Sequence, residues 1–417
     1  EDLVFLQDPR KDPHEMGEPA AYTRVSSMEP LLPGSDRHRL SELSTDLLLK
    51  LGRLSGQVHS PIVRRKLADL LRRMNCYYSN LIEGHKTTPR DIERALRADY
   101  SDDSVKRDNQ KLSEAHVEVE ASMLRRLEDD PSRDIYAPEF IRWLHKAFYE
   151  RLPDSMRMAK TREGRSHAIV PGDFRDFMVE VGRHTPPHFK SVPAFLERFG
   201  SFYGGAGIHE TDRLVAVAAA HHRLAWIHPF GDGNGRVIRL YSRAMLARHG
   251  LDGAGLWSLS RGLARYRERY YALLEEADQS RRGDCDGRGN LTDRGLADFC
   301  EFFLETMIDQ VAFMSDRLDL PGLRLRIERF FHLEMGHLGR DAEFLMRVVR
   351  ALADEGEFAR GRVQEITGRK ETFCRRIIRL GLEEGLIESP GPKGVLGIAF
   401  PAKVLDGYFP KLFLDLD

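Results

Sequence analysis

Leu40, Leu43, Leu47, Leu48 and Leu51 recur at steps of three and four, the spacing that lines one face of an α-helix. A second helix is predicted from Pro61 to Ile82, with Pro61 suited to a first turn and Gly84 to a stop. Thr88-Pro89-Arg90-Asp91 reads as a third start, with Thr88 as the cap. Helical patterns continue through 105–128, 138–150, 192–203, 210–226, 234–248, 262–276 and 293–315. Between 160 and 185 the rhythm changes. Gly164, Gly172 and Gly182 punctuate short stretches, and Met178-Val179-Glu180-Val181 alternates as a strand does, which predicts a small β-hairpin closed by Pro186-Pro187.

The ends of the chain differ from this middle. Residues 1–36 are rich in Pro, Asp, Glu and Gly with little periodicity, and predict an extended arm. Residues 323–417 have another outline: helix at 341–354, short helix at 360–367, basic helix from Arg369 to Leu380, then Pro390-Gly391-Pro392-Lys393-Gly394 and an apolar strand. Helix, helix, basic helix and glycine-containing hairpin is the order of a winged helix. The expected fold is mainly α: a helical bundle with a small β-hairpin flap, followed by a winged-helix domain. The expected divisions are an arm (1–36), an N-terminal helical region (37–130), a core (131–322) and a winged-helix-like unit (323–417), in keeping with 417 residues.

Composition changes this picture little. With 41% hydrophobic and 31% charged residues the chain resembles an ordinary globular protein. A net charge of -1 gives no global attraction to nucleic acid or membrane. No apolar run reaches membrane-spanning length, and Glu1-Asp2-Leu3-Val4 lacks the basic and hydrophobic regions of a signal peptide. Cys76, Cys285, Cys300 and Cys374 lack ligand-like spacing, so reduced thiols in a cytoplasm are expected. The Asp284–Gly289 loop has no glutamate at the twelfth position of a calcium loop.

The chemistry gathers in His228-Pro-Phe-Gly-Asp-Gly-Asn-Gly-Arg-Val-Ile-Arg239. Gly231, Gly233 and Gly235 allow tight turns and close approach to a ligand. A helix opening at Asn234 would present unpaired N–H groups and a positive dipole end, an anion site suited to a phosphate chain. Arg236 and Arg239 lie three apart on one face, with guanidinium forks suited to phosphate oxygens. Asp232 is placed to hold magnesium beside phosphates, and His228 is the one group in the loop able to take a proton near neutral pH. Together these groups describe attack by a hydroxyl on a nucleotide phosphate.

The loop resembles the motif of the Fic family, His-x-Phe-x-Asp/Glu-Gly-Asn-Gly-Arg-x-x-Arg, at every position, and the resemblance extends over roughly residues 60–315. It implies a protein adenylyltransferase that moves AMP from ATP to a Ser, Thr or Tyr hydroxyl of a protein, the chain itself included. His228 would be the base and Asp232 the magnesium ligand. Asn234 with the amides of Gly231, Gly233 and Gly235 would hold the α- and β-phosphates, Arg236 the leaving pyrophosphate and Arg239 the γ-phosphate. Val179, Glu180, Val181 and Gly182 resemble the family's flap, which pairs with target backbone. Ser79-Asn80-Leu81-Ile82-Glu83-Gly84 resembles its inhibitory motif, in which the glutamate, here Glu83, takes the second motif arginine, here Arg239, from the γ-phosphate.

Alternatives stay open. The same loop could remove AMP or transfer another phosphoryl or nucleotidyl group. The chain could also be a DNA-binding regulator, since Arg369, Lys370, Arg375, Arg376 and Arg379 cluster in the basic helix, or that unit could dock a protein partner. No membrane partner is expected; a homodimer is left open.

Overall fold

The computed structural model describes residues 22–160 and 164–413. α1 (Arg37–Gln57) turns Leu40, Leu43, Leu47, Leu51 and Leu54 inward, while Leu48 falls off this stripe and stays exposed. α2 (Pro61–Ile82) starts where the Ser60 hydroxyl accepts from the Val63 amide at 3.3 Å. Thr88 caps α3 (Pro89–Ala95) through the Asp91 amide at 3.1 Å, as its sequence predicts. α4 (Ser104–Asp129) and α5 (Pro138–Tyr149) come next in the chain.

Here the predicted hairpin is corrected. The ladder is formed by β1 (Met158–Lys160) and β2 (Ser166–Ala168), antiparallel with Ala159 opposite His167. Met178–Val181 is extended but joins no strand among the described residues. Residues 177 and 179 are half-buried while 178 and 180 are exposed, so the alternation in sequence reflects burial without a neighbouring strand. The segment ends in one bridge between Val181 and His184, tightened by Gly182 at φ +61°.

α6 (Val192–Tyr203), α7 (Arg213–Ile227) and α8 (Asn234–Arg248) complete the layer that carries the motif. The helix expected at 262–276 is two helices, α9 (Leu259–Arg265) and α10 (Arg267–Ala277), because Tyr266 at φ -111°, ψ 34° leaves helical geometry. α11 (Asp293–Arg317) packs along α1, α7 and α10. α12 (Leu320–Glu334) has no counterpart among the sequence expectations.

The rest consists of α13 (Asp341–Glu355), β3 (Glu357–Phe358), α14 (Arg362–Thr367), α15 (Glu371–Glu383), β4 (Ile387–Glu388), β5 (Leu396–Ile398) and α16 (Leu405–Tyr408). Its antiparallel sheet has the order β3-β5-β4. Within the basic helix, Arg375 and Arg379 pair with Glu371 and Glu383, and Arg376 pairs with Asp341. The expected arm falls partly on residues 1–21, outside the described residues. From Tyr22 onward it is docked: Met28 and Leu31 are buried, and Asp293 accepts from the Gly34 and Ser35 amides at 2.7 Å.

Candidate functional site

The motif loop links α7 to α8. His228 caps α7 in the left-handed region (φ 47°, ψ 63°), a conformation uncommon for a residue with a side chain. The buried Arg175 fixes this geometry. Its amide donates to Pro229 O at 3.0 Å and its Nε to His228 O at 2.9 Å, while its other nitrogens reach Phe177 O and Pro187 O. One side chain thus ties the flap's two ends to the loop. Phe230 stacks on His145 (3.9 Å between centroids), which stacks on Tyr149 (4.3 Å).

Asn234 closes the loop on itself. Its Oδ1 accepts from Phe230 N at 3.0 Å and its Nδ2 donates to Phe230 O at 2.8 Å. The carboxamide's Oδ1 and one of its two N–H donors match one backbone unit, and the second N–H is left over for another acceptor. Gly233 lies at φ +77°, and a Cβ there would strike the Tyr149 ring. The first hydrogen bond of α8 runs from Val237 N to Gly233 O, so the amides of 234–236 have no partner within the helix. Arg236 is buried over the Phe148 ring, with Nε and Nη1 unpartnered. A guanidinium beside an open helix start has the chemistry that suits an anionic oxygen.

Asp232 stands opposite. Its Oδ2 accepts from the Tyr149 hydroxyl at 2.7 Å and lies 3.8 Å from Arg236. Burial works to raise its pKa, but Arg236 and the Tyr149 hydrogen bond outweigh it and hold the carboxyl below its usual range. Among the described residues no three or more His, Cys, Asp or Glu side chains converge as a metal cage. One ionised, half-exposed oxygen donor fits a magnesium ion that takes its other ligands from phosphates and water.

Arg239 is engaged from the other side. Its Nε donates to Ser79 Oγ at 2.9 Å, and its Nη2 donates to Ser79 O at 3.0 Å and to Glu83 Oε1 at 2.6 Å. Ser79 and Glu83 stand one helical turn apart at the end of α2, 156 positions before Arg239 at the carboxylate. The Glu83 carboxylate also packs on Gly235, where any Cβ would collide with Oε1. Burial raises the Glu83 pKa, yet Arg239 and Arg236 together leave it below the ordinary value.

Burial of the His228 ring, with Arg175 and His184 nearby, pushes its pKa down to about 3. The ring is neutral at physiological pH, the state a base requires. Of the flap residues, Glu180, Val181 and Gly182 are exposed and Val179 half-buried. None of the four sits in the phosphate-facing cluster of Asp232, Arg236 and Arg239. Sequence reasoning places Arg175 only at the start of the flap segment and assigns no role to His145 or Tyr149. The only trace of the last two is their spacing of four on α5.

The sequence profile of the Fic/DOC family matches residues 135–246. A curated relative, the protein adenylyltransferase Fic of Aedes aegypti, is 29% identical over 136 residues, covering 33% of this chain and 26% of the relative. That of Drosophila mojavensis is 33% identical over 107 residues, covering 26% and 21%. The chain thus spans about a quarter of the length of the curated relatives it matches. A crystal structure of a Fic family protein from Desulfovibrio desulfuricans G20 superposes with TM-score 0.53 at 19% identity, over 88% of this chain and 98% of the other. A Fic domain containing signaling protein from Bacteroides thetaiotaomicron gives TM-score 0.50 at 19% identity, over 66% and 96%. These two likenesses concern the fold.

Proposed function

With a Fic/DOC family domain over residues 135–246 as premise, we propose that this chain is a protein adenylyltransferase that moves AMP from ATP to a protein hydroxyl and is held back by Glu83. The observation that carries the reading is the buried Arg236, with two unpartnered nitrogens at the amide-open start of α8. That cradle suits a nucleotide phosphate chain. Curated relatives named protein adenylyltransferase support the choice of AMP transfer.

In this reading His228 takes the proton of the target hydroxyl on its imidazole. The hydroxyl oxygen bonds to the α-phosphorus, and the bond from that phosphorus to the bridging oxygen breaks. Pyrophosphate leaves with the electron pair. Arg236 and the amides of 234–236 offset the charge that accumulates on the phosphate oxygens. Asp232 would hold magnesium, which when bound neutralises phosphate charge. The target strand would lie along 178–181, where Met178 and Val181 are exposed.

Arg239 would receive the γ-phosphate once Glu83 leaves it. A carboxylate and a phosphate compete for one guanidinium. The C-terminal unit is read as a winged helix; with Arg375, Arg376 and Arg379 already paired to carboxylates, packing against the catalytic domain suits it better than DNA.

The test is self-modification with labelled ATP and magnesium. Glu83→Gly should transfer well above the wild-type rate. His228→Ala in that background should lose about 10²–10⁴ in rate while still binding ATP. More than half the rate remaining after His228→Ala would remove His228 as the base.

A further inference from the structure

α2 is gripped along its length by residues from the end of the chain. The Ser60 hydroxyl donates to Glu355 O at 3.1 Å, and Gly356 lies against Ile62. Lys66 pairs with Glu388, and Arg73 Nη2 donates to Phe400 O at 3.2 Å. The Tyr78 hydroxyl donates to Leu412 O at 3.0 Å, and Phe413 stands edge-on to Tyr77 at 5.2 Å. Ile62, Lys66, Arg73 and Tyr77 succeed one another at steps of four, seven and four, which is one helix face. From Ser60 to Tyr78 that face is roughly 27 Å long at 1.5 Å per residue.

The final grip is the most elaborate. Residues 408–413 form a strap whose carbonyls are captured in turn. Tyr408 O accepts from Arg326 at 2.7 Å, Pro410 O from Arg317 at 2.8 Å and Lys411 O from the buried Arg261 at 2.9 Å. Leu412 O accepts from Tyr78, the residue before Ser79, and Ser79 is where Arg239 is held. Beyond the brake, Ala402 N donates to Glu93 on α3 at 3.0 Å, so the chain on both sides of Glu83 is tied to the same unit.

We propose that the 408–413 strap sets the position of the last turn of α2, so that loosening it withdraws Ser79 and Glu83 from Arg239 and releases the enzyme. The inference rests on the reading of Glu83 as the brake. Its physical basis is a short path, Leu412 to Tyr78 to Ser79 to Arg239, in which each step is a hydrogen bond or a peptide link. The coupling is reciprocal: a γ-phosphate that claims Arg239 weakens the hold on Ser79 and hence on the strap.

The experiment uses the full chain with two readouts, self-modification with labelled ATP and magnesium, and amide hydrogen exchange over residues 79–84. Tyr78→Phe removes only the hydroxyl. The hydroxyl donates to Leu412 O and also meets Arg261, so its loss should shift local opening by at least about two- to tenfold, seen as faster exchange at 79–84. Phe413→Ala should do more, and should raise transfer several-fold toward the Glu83→Gly rate. Added to Glu83→Gly, neither change should raise the rate further, since the brake is already gone. If Glu83→Gly is fast while both strap variants keep wild-type rate and exchange, the strap inference is overturned. If Glu83→Gly itself is no faster than wild type, the brake reading falls, and the exchange data alone decide whether the strap holds α2. Should Phe413→Ala fail to fold, Tyr78→Phe decides both points.

Discussion

Arg175 spends its guanidinium entirely on backbone: His228 O on one side, Phe177 O and Pro187 O on the other. Those contacts define its role. Arg175→Ala should leave ATP affinity near wild type while kcat falls by about ten- to hundredfold, because His228 loses its fixed orientation and small misplacements are costly. Arg175→Lys should not rescue it, since one ammonium cannot reach carbonyls on three sides. The check is kcat against KM in the Glu83→Gly background; a rise in KM alone would make Arg175 a binding residue. His228 itself should show no NMR titration between pH 5 and 8, because its pKa is pushed to about 3. Much of this site is legible in the sequence because the chemistry demands particular residue types within one contiguous loop. Arg175, His145 and Tyr149 are not, because what they do depends on which backbone folding brings beside them. Asn234 is a related case: its amide also closes the loop on Phe230, a use that depends on the folded backbone.

At the level of elements, α2 and α8 meet through one ion pair, and its pH behaviour is set by the sign of its shift. The Glu83 pKa is lowered, so the charged pair is intact above the ordinary carboxylate value of 4.5 and is lost only as pH falls through the depressed one. The ratio of Glu83→Gly to wild-type transfer rates should therefore stay constant from pH 8 to 6. A ratio that collapses toward one by pH 6 would mean that another group controls release. The start of α2 is legible from Pro61 in its first turn, and that of α3 from Thr88, whose cap acts within three residues of itself. The pairing of 178–181 is not, because a period of two reports which side chains are half-buried but not whether a neighbouring strand exists.

Across the whole molecule, His116, His145, His221 and His222 are buried with no exposed surface. Burial lowers the pKa of each, to about 3 for His116 and about 4 for His145. The unfolded chain protonates these rings near 6.5 while the folded one does not. For His116 and His145 the contribution to stability is thus complete above that value and is lost as pH falls toward 4, at about 1.4 kcal/mol per pH unit for each ring; His221 and His222 act in the same direction. Denaturant midpoints should drop steeply between pH 7 and 5; a flat profile would show that these rings become charged within the fold. The Tyr78–Leu412 hydrogen bond adds a different consequence, since its partners are 334 positions apart. Synthesis delivers the motif loop, Ser79 and Glu83 well before residues 408–413. On the proposed reading, a polypeptide whose translation stops between them would carry the motif loop with Glu83 no longer secured by the strap. So would one nicked in the half-exposed Pro390–Gly394 turn that then loses its C-terminal fragment. If Glu83 is the brake proposed above, clearance of unfinished or clipped chains is part of keeping such an enzyme silent.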